Sequence, residues 1–157
     1  MSKKHYITNI HLDEKSGALR AAHVEHERNV AIYDILDENY FMPEGGPNGP
    51  FELHLSIEEN RLIFQISLKD GNIIDRFTFP LNSFRRIIKD YFMICESYFE
   101  AIKTAPPSRI EALDMGRRGL HNEGADILID RLAGKVDVDI RTARGLFTLI
   151  CVLHIKA

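Results

Sequence analysis

Tryptophan is absent and cysteine occurs only twice among 157 residues. Two thiols cannot staple a small disulfide scaffold, and they fit a reducing compartment, so a cytoplasmic location is expected. The start, Met1-Ser2-Lys3-Lys4-His5-Tyr6, has two lysines with no apolar run behind them, which is not the pattern of a signal peptide. Long apolar runs are missing too. The richest, Leu146 to Leu153, is interrupted by Thr148 and falls well short of the roughly twenty residues of a membrane span. A surplus of positive charge is also lacking, with a formal net charge of −3. Residues 1–80 carry 8 basic and 13 acidic side chains, and residues 81–157 carry 12 and 10. That small C-terminal excess is far from the basic signature of nucleic-acid binding, so no nucleic acid and no membrane are expected as partners. Neither Gly-x4-Gly-Lys, Gly-x-Gly-x2-Gly nor His-Glu-x-x-His occurs, and no cofactor is expected. Internal repeats and low-complexity tails are absent as well.

What is present is ordinary globular composition, 45% hydrophobic and 27% charged, enough to offset chain entropy with one core. A single domain over residues 1–157 is the expectation. Tyr6 to Leu12 reads as a short strand. From Val24 to about Phe41, apolar residues recur every three or four positions, the spacing of an amphipathic helix. Met42 to Pro50 holds three of the six prolines and three of the ten glycines, and it ends that helix.

Phe51, Leu53, Leu55 and Ile57 then alternate with polar residues, as do Leu62, Phe64, Ile66 and Leu68. Asp70-Gly71 reads as a type I′ hairpin turn, followed by a third strand from Ile73 to Phe79. Phe84, Ile88, Tyr91, Cys95, Tyr98 and Ile102 form a helical stripe, with Asn82 or Ser83 as its cap. Pro106-Pro107 breaks this helix, and Ser108 with Glu111 offers a capping box for the next. A helix over 110–132 must accommodate Gly116, Gly119 and Gly124, each costing about 1 kcal/mol against Ala. Either it breaks near Met115 to Gly119, or another backbone packs closely against the glycines. A last helix, capped by Asp139, is apolar all round from Leu146 to Leu153, which places it at the centre of the core or in a subunit interface. The fold class expected is α+β: an antiparallel β-meander of three strands, open to a fourth N-terminal one, packed against three to four helices.

Candidate chemistry is sparse. His23 and His26, with Glu25 and Glu27, are the lesser candidates for a metal, and a third ligand would have to come from His11, His54 or His121. Against that stands the ordinary reading of a solvated helix start, and no metal is expected. Cys95 and Cys151 lie on apolar helix faces without an activating neighbour. Arg85, Arg86, Arg109 and Arg141 fall near helix starts, where a cation opposes the dipole. An anion bound there would compensate, and so would nearby carboxylates such as Asp90. In the stretch from Asp114 to Gly124, Arg117 and His121 are four apart, with Arg118, Asn122 and Glu123 beside them. The anion-site candidates are therefore Arg85, Arg86, Arg117, Arg118 and His121, supported by Asn122 and Glu123. No catalytic residue is assigned.

His26-Glu27-Arg28-Asn29-Val30-Ala31-Ile32, Phe84 to Phe92, Ile94 to Tyr98, Asp114 to Gly124 and Thr142 to His154 carry a family resemblance. Together these blocks resemble bacterial uncharacterised protein family 0262 of the UPF series, over roughly residues 24 to 155. The N-terminal segment and the Pro/Gly loop lie outside the resemblance. It implies a bacterial, cytoplasmic protein and transfers no activity or site. From the residues, the first functional expectation is a non-catalytic binding or regulatory protein acting through a protein partner or self-association. The alternative is an enzyme or sensor for a small phosphorylated or carboxylated ligand, which requires the arginines and His121 to converge in one pocket.

Overall fold

The computed structural model describes residues 5–14 and 22–156. In chain order the elements are β1 (Ile7–Leu12), α1 (Ala22–Asp37), β2 (Phe41–Pro43), β3 (Phe51–Glu58), β4 (Arg61–Leu68), β5 (Ile73–Pro80), α2 (Asn82–Thr104), α3 (Pro107–Leu132), β6 (Val136–Val138) and α4 (Ile140–Lys156). The three alternating segments form the antiparallel run β3-β4-β5. β1 adds to its edge in parallel with β3, giving a mixed sheet of order β1-β3-β4-β5. The expectation of a purely antiparallel meander is corrected accordingly. A parallel neighbour needs a long crossover, and α1 supplies it. A second, two-stranded sheet pairs Phe41 with Val138 and Pro43 with Val136; the first helix, expected to run to about Phe41, ends at Asp37, and Phe41 opens a strand instead.

Local details explain the register. Ile7 and Ile10 are both buried although three residues apart, because a register shift between Ile7 and Asn9 turns the strand. Asn39 closes the far edge of β1: its Oδ1 accepts the Ile7 N–H at 2.7 Å, and its Nδ2 donates to the carbonyls of Ile7 and Ile35. The tight two-residue turn with both φ positive is Glu59-Asn60, between β3 and β4. At the expected Asp70-Gly71 turn only Gly71 has positive φ. There the Asp70 carboxylate accepts the Asn72 N–H instead, in a longer loop.

The helices cover one face of the sheet. Phe51, Leu53, Leu55, Leu62, Phe64 and Ile66 from the strands meet Phe84, Ile88 and Tyr91 of α2 in one core. α4 packs on α1, α3 and β3, and Ala143, Leu146, Phe147, Leu149, Ile150 and Cys151 are fully buried. Of the two positions its composition allowed, α4 occupies the centre of the core within one chain. α3 is continuous through its three glycines. Side chains, rather than a neighbouring backbone, approach two of them: Ile94 faces Gly116 and the Phe147 ring faces Gly124.

Two expected caps are absent. α2 and α3 begin after Leu81 and Pro106 without a side-chain cap bond, so Asn82, Ser83 and Ser108 do not cap. Proline at the first position of α3 lacks one of the N–H groups a helix start leaves unpaired, and the Arg109 N–H donates to the Pro106 carbonyl at 3.0 Å. Asp139 does cap α4, its Oδ1 accepting the Thr142 N–H at 2.9 Å. Among the described residues no helix is long and apolar enough to cross a membrane.

Candidate functional site

Where α1, α3 and α4 meet, polar side chains surround a pocket of about 280 Å³. α1 contributes Glu27 and Asp34, α3 contributes Arg117 and His121, and α4 contributes Arg141, Arg144 and Thr148. Helical spacing aligns each set. Arg117 and His121 are one turn apart, as are Arg144 and Thr148, so each pair shares a face. Gly145 lets α4 approach α1, since a Cβ there would press on Ile35.

His121 is tied into the wall. Its Nε2 lies 2.9 Å from both the Arg144 carbonyl and Thr148 Oγ1, and its ring stacks on Tyr91 at 5.4 Å. A carbonyl only accepts, so Nε2 bears the proton and donates, leaving Nδ1 as the lone-pair nitrogen. Burial lowers the imidazole pKa, opposed by the bond to the Arg144 carbonyl and by Glu27, with Arg117 and Arg144 lowering it further. The ring is neutral at neutral pH.

Tyr91, buried beneath this floor, donates its hydroxyl to Glu27 Oε1 at 2.9 Å. Burial, the neighbouring Cys95 and the Glu27 carboxylate all raise its pKa, so it remains a phenol. Burial likewise pushes the Cys95 thiol up to about 11 and the Cys151 thiol well above its ordinary value. Neither is a thiolate nucleophile at neutral pH.

Each arginine is held differently. Arg117 donates from Nη2 to Asp114 Oδ1 at 2.7 Å and lies 5.1 Å over the Tyr98 ring. Its Nε is buried without a hydrogen-bond partner among the described residues. Burial opposes its charge, but the Asp114 bond, Tyr91 and Glu27 outweigh that, and its pKa is raised. Arg141 reaches Glu38 at 3.1 Å and Asp37 at 3.6 Å. Arg144 donates from Nε to Asn122 Oδ1 at 2.7 Å and has no carboxylate partner among the described residues.

Of the residues singled out from sequence, the pocket therefore unites Arg117 and His121, with Asn122 orienting Arg144 from behind. Arg118 is an exposed second partner of Asp114, at 3.0 Å, and Glu123 is exposed; neither lines the pocket. Arg85 and Arg86 are exposed on α2. Arg86 sits 3.8 Å from Asp90, while Arg85 adds to the burial that lowers the pKa of His154. They do not line this pocket either. Arg144, Thr148 and Glu27 went unassigned as anion-site residues. The i, i+3 and i, i+4 spacing of Arg141, Arg144 and Thr148 was the available signal, masked by the apolar residues around it.

His23 and His26 line an adjoining groove of about 290 Å³ with Cys95, Tyr98 and Phe99, sharing Glu27 and Arg117 with the pocket. His23 packs on the Phe99 ring at 5.2 Å. Among the described residues the metal-competent trio is His11, Glu52 and His54, without either of these histidines.

Comparisons place the chain among known proteins. The model of an uncharacterised protein family, UPF0262, matches residues 4–156, so the likeness also takes in the N-terminal residues and the Pro/Gly loop. A UPF0262 protein of Paramagnetospirillum magneticum is 56% identical over 156 residues, covering 99% of both chains. One from Rhodopseudomonas palustris is 55% identical over 98% of this chain and 94% of its own, and one from Rhizobium etli is 57% identical over 83% of each. No solved structure matches. With near-complete coverage at more than half identity, the chain belongs to the uncharacterised protein family UPF0262.

Proposed function

We propose that this protein is a non-catalytic binding or regulatory protein whose ligand is a small phosphate- or carboxylate-bearing molecule held between α1, α3 and α4. The supporting observation is Arg144. Its guanidinium is oriented by Asn122 at 2.7 Å, lines a pocket with Arg117 and His121, and has no carboxylate of its own among the described residues. A planar guanidinium fixed through Nε keeps its Nη donors for a bidentate acceptor. The pocket, about 280 Å³, lies just below the roughly 300–1,000 Å³ of drug-sized ligand sites, which suits a small anion. Glu27 and Asp34 on the opposite wall favour a ligand that also carries a donor or a positive group. His121 serves as a neutral wall residue, its Nε2 proton committed to Arg144 and Thr148.

The partner reading drew on an apolar last helix, and that helix is buried within the chain. Thermal unfolding of the full chain tests the anion reading against phosphate, sulfate and mono- and dicarboxylates, with chloride at equal ionic strength as control. A true ligand at a hundred times its Kd stabilises by about 2.7 kcal/mol, and Arg144→Gln abolishes the shift. A shift unchanged in Arg144→Gln and Arg117→Gln, or none with any anion, overturns the assignment.

A further inference from the structure

We propose a second, independent site: a divalent transition-metal centre made by His11, Glu52 and His54 on the solvent-facing side of the four-stranded sheet. His11 stands directly opposite His54 in the parallel β1–β3 pair. Glu52 precedes His54 by two residues on β3, so the strand period places its carboxylate on the same face. Donor atoms of all three lie within 4.8 Å of one another. His11 Nε2 is 3.3 Å from Glu52 Oε1. Tetrahedral ligands at bonds of about 2.0–2.1 Å stand roughly 3.3–3.5 Å apart, so this pair already has the spacing of two ligands on one ion.

A simple ion pair would need one histidine and one carboxylate. The second imidazole is what such a pair does not use. His54 stacks on His11 with centroids 4.4 Å apart and planes 13° from parallel, and it makes no hydrogen bond among the described residues. Two imidazoles and a carboxylate match the donor set of zinc sites that keep a fourth position open. Such a position has room here, for His11 and His54 line a pocket of about 370 Å³ together with Asp13, Gln65 and Arg76. Gln65 lies across from His54, and Arg76 across from Gln65. That row places a polar acceptor and a cation beside the open position, where water or a small anion would complete the shell. Neighbouring hydrogen-bonded strands hold all three ligands, a rigid base for a metal set.

The test is calorimetric titration of the tag-free full chain with Zn²⁺, with Co²⁺ absorption as a second readout of ligand geometry. One equivalent binds the wild type. His11→Asn and His54→Asn each weaken binding by at least about tenfold, whereas the double variant of His23→Asn and His26→Asn binds as the wild type does. Absence of stoichiometric binding, or binding that follows His23 and His26, overturns the proposal. If a β-strand variant folds poorly, imidazole NMR of the wild type decides: Zn²⁺ must shift the His11 and His54 resonances, and unshifted resonances refute the site.

Discussion

Gly124 and Gly119 lie five residues apart on α3 and have opposite surroundings. A Cβ on Gly124 would overlap the Phe147 ring, whereas one on Gly119 would meet nothing within 4 Å. Overpacking a core costs about 1–3 kcal/mol, while removing a helical glycine gains about 1 kcal/mol. Gly119→Ala should therefore raise the denaturation midpoint and Gly124→Ala lower it; equal effects in urea titrations would contradict the packing at Phe147. His121 yields a pH prediction. Its folded-state pKa lies below the ordinary 6.5 through burial, so the unfolded chain binds the proton more readily. The stability involved is complete above pH 6.5 and is lost as pH falls through the lower folded value. His54 and His154, also lowered by burial first, act in the same direction. Melting temperature should fall on acidification from pH 7 to 5, and His121→Gln, which retains an N–H donor, should flatten part of that fall. Neither effect was legible in the chain: the spacing put Arg117 and His121 on one face, but the ring of Tyr91 and the carbonyl of Arg144 reach His121 only through packing.

Helix boundaries show where local chemistry wins. Asp139 caps α4 with a bond to the Thr142 N–H, and Thr142 Oγ1 in turn accepts the Tyr40 N–H at 2.9 Å. This joins the start of α4 to the chain entering β2. Loss of such a cap costs about 1 kcal/mol, so Asp139→Ala should lower stability by that amount in chemical denaturation. Ser108→Ala should be close to neutral, because Pro106 and Pro107 open α3 without it. A comparable loss at Ser108 would restore the capping box. The Ser108–Glu111 pattern misled because the helix opens at Pro107, which places Ser108 inside the first turn rather than at the cap. Arg141 illustrates the converse: it answers the unfavourable dipole at the start of α4 with Asp37 and Glu38, from the end of α1 and just beyond, carboxylates that no spacing within α4 could identify.

Across the whole molecule, α4 is the element that other parts share. It touches α1, α2, α3 and β3, and its side chains belong to the same core as both sheets. Such a shared core should unfold in one cooperative step. Far-UV circular dichroism, reporting helices, and the near-UV signal of tyrosines including buried Tyr91 should give one midpoint. Separate midpoints would reveal independently stable units. The same centrality turns the apolar circumference of α4 from an argument about partners into one about packing.

Residue period alone marks the strands β3 to β5, the stripe of α2 and the apolar circumference of α4, because it reports which side of an element is apolar. Tertiary structure decided what covers each face. It placed β1 parallel to β3, paired β2 with β6, brought Arg144 beside Arg117, and set His11 against His54. These residues lie far apart along the chain, and the pattern within each element is the same whichever neighbour it meets. Only the packing of α1, α3 and α4 around a common core, and the crossover that returns the chain beside β1, select one set of neighbours over the others.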